Sequence, residues 1–239
     1  MAREMKDSGI EWIGEIPREW GISKVKYFYD CYDGKRVPVD SAERTPGPYP
    51  YWGAGNITDY VNDYLFDEEI ILLGEDGAPF FDHTRPVAFL INEKIWVNNH
   101  IHVLKPKESV ISRFFVYWLN NVDYKSYING SILNKLTQSN MNSIAFVIPS
   151  LAEQQSIADF LDAQCAHTVL ASWNDFLIDG INPTDDMIIN DIVTNWTVNK
   201  ANTSVETWRE IIRQLKEKQM IPKGYGKHTL KKEQNDYAH

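Results

Sequence analysis

The segment Asn98-Asn99-His100-Ile101-His102 puts two imidazoles and two preceding carboxamides within five positions. On a strand, alternation would place His100 and His102 on one face. A metal site would need a third ligand, and no Cys, Asp or Glu stands at a recognisable spacing, so no metal is expected. The amides suit a different chemistry, because Asn and Gln match adenine edges, Arg and Lys match guanine edges, and further bases meet phosphates. Two more clusters have that composition. Lys35-Arg36 follows the Asp33-Gly34 turn and projects from a loop, while Asn134, Lys135, Thr137, Gln138, Ser139 and Asn140 form a polar stretch before an apolar run. The candidate nucleic-acid contacts are therefore Lys35, Arg36, Asn99, His100, Asn134, Lys135, Gln138, Ser139 and Asn140. The plainer reading of each is a solvated loop side chain.

Catalytic chemistry has little support. The chain has no G-x-S-x-G elbow, no H-E-x-x-H and no Cys with a suggestive His neighbour. Asp185-Asp186 reads as charge at a helix start. Gly53-x-Gly55 and Gly74-Glu-Asp-Gly77 lack phosphate-loop spacing, and Glu75 and Asp76 would repel a phosphate, so both read as turns. Tyr51 and Trp52 could stack on a base, but core packing is the simpler role. Cys31 and Cys165 are too far apart to suggest a disulfide framework or a zinc site. No cofactor is implied.

The chain has 239 residues, 43% of them hydrophobic, enough for one large domain or two small ones with real cores. No apolar run approaches the roughly 18 to 20 residues needed to cross a bilayer, and Met1-Ala-Arg-Glu-Met-Lys-Asp7 lacks the apolar stretch of a secretion signal, so a cytoplasmic protein with no membrane contact is expected. The net charge of -9 counts against unaided affinity for a polyanion. That charge is unevenly spread. Residues 162–199 carry six acids and no Lys or Arg, whereas residues 200–232 carry nine bases and three acids.

Positioning those candidates falls to a mostly β region. Residues 1–21 read as an extended arm, with Trp12, Ile13, Ile16 and Trp20 apolar and Gly14 and Pro17 opposing a long helix. Ser23 to Tyr32 reads as a strand or the run into one. Residues 33–59 hold four prolines and four glycines, a loop-dominated composition. Strands are predicted at Tyr60 to Leu65, Glu69 to Leu73, Pro86 to Ile91 and Ile95 to Leu104. Ser109 to Asn121 changes to helical period, with Ser109 available as cap. An Asn129-Gly130 turn follows, and Ile144 to Ile148 is a short strand halted by Pro149. From Leu151 to Asp179 there is no Gly or Pro, and one helix of roughly 43 Å is predicted. Two amphipathic helices, Thr184 to Trp196 and Ser204 to Gln219, complete the chain. Asn182-Pro183 with Asp185 would start the first, and a Thr203-x-x-Glu206 capping box the second.

Three separated segments carry a resemblance: Ser8-Gly-Ile-Glu-Trp-Ile-Gly-Glu-Ile-Pro17, Tyr51-Trp-Gly-Ala-Gly-Asn-Ile-Thr-Asp-Tyr60 and Ile148-Pro-Ser-Leu-Ala-Glu-Gln-Gln-Ser-Ile-Ala-Asp-Phe160. In this order and spacing they resemble the DNA-specificity (S) subunit of Type I restriction-modification systems. The Asn98 to Leu104 segment also looks like that family's Asn-Asn-His-x-x-Val-Leu element. The resemblance implies a non-catalytic subunit that recognises double-stranded DNA and directs a Type I methyltransferase (modification) subunit and a restriction subunit to a target site. It implies an α+β chain: a mostly β target-recognition domain over residues 1–150, a spacer and assembly helix over 151–179, and a small helical region over 180–239. Family members usually carry two recognition domains; a half-sized form would act as a homodimer reading a split, symmetric site. After about Ala166 the resemblance fades. The three-helix order ending near Lys223 to Lys227 looks winged-helix-like, and the opposed charges of the last two segments would equally attract each other. The alternative is an orphan recognition domain with a helical tail, working as an independent DNA-binding regulator or restriction decoy.

Overall fold

The computed structural model describes residues 3–82, 85–128, 134–196 and 205–229. The expected Asn129-Gly130 turn and the Thr203 cap lie outside the described residues. The chain forms two compact units, one from Met1–Phe81 with Val87–Ala158, the other from Asp82–Pro86 with Asp159–His239.

The first unit is mainly β, as its alternating apolar segments predict. Its central sheet has the order β4-β10-β7-β8, all antiparallel, from β4 (Tyr29–Cys31), β7 (Ile70–Gly74), β8 (Ala88–Ile91) and β10 (Ile101–Pro106). Every residue of β7 is buried. Alternation sends Ile71 and Leu73 into one core cluster and Ile70 and Leu72 into another. A strand covered on both faces reads as a continuous apolar run, which is what Ile70-Ile-Leu-Leu73 is. On one side α1 (Ser112–Asn120), the short α2 (Gln138–Ser143) and β11 (Ala145–Ile148) supply Phe114, Phe115, Met141 and Phe146. Trp52, Ile95 and Val97 join the cluster on the other side, from a three-stranded sheet of β6 (Ile57–Val61), β5 (Pro46–Trp52) and β9 (Trp96–Val97), in that order, and its approach.

That second sheet was not expected in full. β5 (Pro46–Trp52) runs through the proline-rich segment and pairs with β6 (Ile57–Val61), with a register shift between Pro46 and Tyr49. Parallel pairing with β9 (Trp96–Val97) begins only at Tyr51. Pro46 and Pro48 thus sit at a bulge with a partner on one side, where a missing N–H is tolerated. Gly47 is required there, since a Cβ would lie 2.2 Å from the Asn62 Cα. β9 also splits the predicted Ile95 to Leu104 strand: Val97 belongs to one sheet and Ile101 to another.

Smaller corrections follow the same logic of competing partners. The Ser23 to Tyr32 run divides into β3 (Gly21–Lys24), which pairs with β11, a one-turn helix at Val25–Tyr27, and β4. The arm folds back as a two-stranded ribbon, β1 (Met5–Asp7) against β2 (Glu15–Pro17). Ser109 does not cap α1. The flanking residue is Ile111, whose N–H is accepted by Gln154 Oε1 at 2.9 Å.

Helix α3 (Leu151–Ile178) is unbroken, as predicted. Its first turns, to Ala158, belong to the first unit and are tied down there. Glu153 accepts from Trp20 Nε1 at 3.0 Å and from Arg3, and Gln154, 1% exposed, also donates to Pro149 O at 3.1 Å.

The second unit packs the rest of α3 with α4 (Asp185–Asn195) and α5 (Val205–Glu217) around Val169, Trp173, Ile188, Ile192, Trp208 and Ile212. Thr184, not Asn182, caps α4. The acidic and basic segments meet inside this unit: Arg209 pairs with Asp186 at 3.0 Å and Lys216 with Asp185 at 2.6 Å. Among the described residues the stretch after α5 forms no paired-strand wing. It lies along α3, with Gly224 N–H donating to Asn174 Oδ1 and Thr229 N–H to Asp175 Oδ1.

Candidate nucleic-acid interface

The three polar clusters singled out in the sequence converge at one edge of the first unit. The Asp33-Gly34-Lys35-Arg36 loop, the Gly74-Glu-Asp-Gly77 turn, the Asn98-Asn-His100 turn entering β10, and the segment 134–140 are joined by one network. Backbone bonds set the frame: Glu75 and Asp76 N–H donate to His100 O, Gly77 N–H to Asn134 O, and Leu136 N–H to Glu75 O at 2.9 Å. A positive φ of 67° at Gly77 makes that turn's glycine necessary.

Within the frame, charges alternate. Arg36 donates to Glu75 Oε2 at 2.6 Å, to Ile101 O at 2.8 Å and to Asp33 O at 2.9 Å, and only 13% of its side chain is exposed. Lys135 reaches Asp76 at 2.9 Å and Glu75 at 3.2 Å. His100 Nδ1 lies 3.1 Å from Asp76 Oδ2. His102, buried on β10, sits between Asp33 Oδ2 at 2.6 Å and Leu136 O at 2.8 Å. Burial pushes the Asp33 carboxyl upward, but the contacts from His102, the Val103 N–H and Arg36 outweigh it and hold the group below its ordinary value. Asp76 follows the same pattern: burial raises it, and Lys135 and His100 more than compensate. Its partnership with Asp76, then Glu75, raises Lys135.

Oxygen and nitrogen atoms of Asp33, Glu75 and His102 lie within 4.8 Å of one another. A cation would suit that spacing, yet the Arg36 guanidinium already brings positive charge to both carboxylates. The donor set is an ion-pair hub rather than a vacant ligand cage.

The candidates therefore divide. Arg36 is spent inside the hub, and Lys135 and His100 are half committed to it. Lys35 is exposed, its Nζ 3.4 Å over the Tyr32 ring. Asn99 stands exposed in the turn before β10, and His100 with it, so His100 and His102 do not share a strand face. Asn134 contributes its carbonyl to the frame. Gln138, Ser139 and Asn140 form the first turn of α2, a helix capped by Thr137, where the sequence reading had only a polar stretch. Gln138 and Ser139 are exposed, Gln138 also donating to Cys31 Sγ, while Asn140 turns inward to Tyr127 O at 2.7 Å. Tyr51 and Trp52 are core residues, 0% and 1% exposed. Sequence reasoning missed Asp33, Glu75 and Asp76 as the organisers. The signal was present: an acid three residues before Arg36, and an acid pair held in a glycine turn.

Residues 17–169 match the Type I restriction modification DNA specificity domain. The chain belongs to that family. A putative type I restriction enzyme specificity subunit of Haemophilus influenzae is 37% identical over 133 residues, 56% of this chain and 34% of that protein. The EcoDI specificity subunit of Escherichia coli is 24% identical over 159 residues, 64% of this chain and 33% of that one. The chain thus spans about a third of the length of these specificity-domain relatives. Its fold is similar to that of the Type I restriction-modification S subunit from M. genitalium, with a TM-score of 0.51 and 16% identity over 68% of this chain and 44% of that structure. These matches give no support to the alternative of an orphan regulator or decoy. Among the described residues no helix is long and apolar enough to cross a membrane.

Proposed function

We propose that the first unit reads a DNA sequence and that the protein is a non-catalytic, cytoplasmic specificity subunit directing a Type I methyltransferase subunit and a restriction subunit to that sequence. The observation that carries this reading is the convergence of Lys35, Asn99, His100, Gln138 and Ser139, from three separated segments, at one edge built on a partly buried ion-pair hub. Arg36, Asn134, Lys135 and Asn140 hold that edge in place. An exposed set of amides, a hydroxyl and a cation on a rigid base has the donors and acceptors that base edges demand. Helix α3, anchored by Glu153 and Gln154, acts as the assembly spacer. A homodimer would present two such edges to a split site. Much of the positive charge needed to hold DNA comes from the partner subunits, because this chain carries -9.

Footprinting of the chain with its cognate modification subunit tests this. Protection of one defined sequence, absent or much weaker with either component alone, is expected. Uniform protection with no sequence preference would overturn it.

A further inference from the structure

Most of the Lys and Arg side chains of the first unit are already spent within it. Lys107 pairs with Asp30 at 3.3 Å and Lys105 with Glu68 at 2.8 Å, while Lys6 donates to Trp20 O at 2.6 Å. Among the described residues of this unit, the ammonium groups of Lys24, Lys26 and Lys35 make neither an ion pair nor a hydrogen bond. All three are exposed, and all lie in the stretch from the end of β3 to the Asp33 loop. That stretch runs antiparallel along α2. Lys24 is in register with Ala145, Val25 N–H donates to Ile144 O at 3.0 Å, the Tyr29 hydroxyl donates to Asn142 Oδ1 at 2.6 Å, and Gln138 Nε2 donates to Cys31 Sγ at 2.9 Å. The uncommitted cations therefore flank the helix whose first turn carries Gln138 and Ser139, Lys35 toward one end and Lys24 and Lys26 toward the other.

Resting on the DNA-reading function above, we propose that Lys24 and Lys26 bind backbone phosphates of the duplex, continuing from Lys35 along α2 and fixing the register in which Gln138 and Ser139 meet base edges. Val25 is buried between the two lysines, which are both exposed. Lys26 Nζ stands 4.9 Å over the exposed Tyr27 ring, a contact that restrains the ammonium without neutralising it. The exposed acid of the stretch, Asp30, is offset by Lys107. A phosphate at Lys24 or Lys26 breaks no internal ion pair, whereas at Lys107 or Lys135 it would have to displace a carboxylate. The length is also suitable. Six residues of α2 rise about 9 Å, and the phosphates of one strand advance about 3.4 Å each along the duplex axis, so the flank matches two or three of them. Such contacts position the duplex and carry no sequence information.

The test uses the assembly of this chain with its modification subunit and the duplex that the wild-type complex selects from a randomised library. Affinity is followed over roughly 50 to 200 mM salt, where phosphate contacts are strongly felt. Lys24→Gln and Lys26→Gln should each flatten the slope of log affinity against log salt by about 1, and the double variant by about 2, while the sequence recovered from the library stays that of the wild type. Lys26→Arg, which keeps the charge, should keep the slope. Lys125→Gln removes the same charge from a lysine paired with Asp123 and should leave the slope unchanged. Ethylation of certain backbone phosphates should weaken binding by the wild type, and at one or two of them the double variant should be indifferent. A wild-type slope in the double variant, an equal flattening by Lys125→Gln, or a changed recovered sequence would overturn this inference and leave the DNA-reading function standing. Recovery of no preferred sequence by the wild-type complex would overturn that function, and this inference with it.

Discussion

At the scale of single residues, the edge of the first unit depends on charges that neutralise one another. Removing Arg36 leaves Asp33 and Glu75 close together with their main positive partner gone. Arg36→Met should therefore destabilise the protein by about 3 kcal/mol, measured by denaturant unfolding, the range seen when one partner of a buried pair is lost. Arg36→Lys should recover only part of it, because a single ammonium cannot serve Glu75, Ile101 O and Asp33 O together. The acid side has a definite sign. Asp33 is held below its ordinary value in the folded protein, so it binds protons more readily when unfolded. Its stabilising contribution is present in full above the usual carboxylate range and is lost as pH falls through and below it. Acid titration of unfolding should show this loss, and Asp33→Asn should reduce it while lowering stability at neutral pH. The polar residue types at this edge were legible in sequence; their division was not. Nothing in the order Lys35-Arg36 says that the first side chain faces solvent and the second is enclosed, because that depends on the Gly74 to Gly77 turn folding over it.

At the scale of elements, the parts with a single environment were readable and the shared ones were not. β7 and α3 declare themselves by an unbroken apolar run and by the absence of Gly and Pro. β5 does not, because its prolines oppose a strand and only the one-sided pairing with β6 makes them harmless. Gly47→Ala should accordingly be severe: with Asn62 Cα 2.2 Å from the new methyl, β5 and β6 must separate locally. A loss of several kcal/mol, or failure to accumulate folded protein, is the expected outcome by thermal unfolding, as for other overpacked sites. The Glu153-Gln154 pair at the start of α3 gives physical meaning to a motif otherwise known only by resemblance. Gln154 satisfies Ile111 N–H and Pro149 O at once. Gln154→Leu should cost about 1 to 3 kcal/mol, the penalty for buried backbone groups left without partners, and hydrogen exchange at Ile111 should rise.

At the scale of the whole molecule, the charge of -9 and the mostly uncharged donors of the proposed reading edge bear on the proposed function: a DNA reader with this balance would take much of its affinity from partner subunits. The mutual attraction expected of the acidic and basic segments takes the form of the Arg209–Asp186 and Lys216–Asp185 pairs of the second unit. Such exposed pairs contribute little, so Asp185→Asn should change stability by less than about 1 kcal/mol. Trp208→Ala, at the centre of that unit, should cost about 3 to 5 kcal/mol. The measurement that bears most directly on the account is selection from a randomised duplex library by the assembled complex, comparing the wild-type chain with Asn99→Ala and Gln138→Ala. Both variants should still bind DNA, and each should relax or change the base chosen at one or two positions of the recovered sequence. Recovery of the same sequence, with equal stringency, from all three proteins would contradict the assignment of this edge as the base-reading surface.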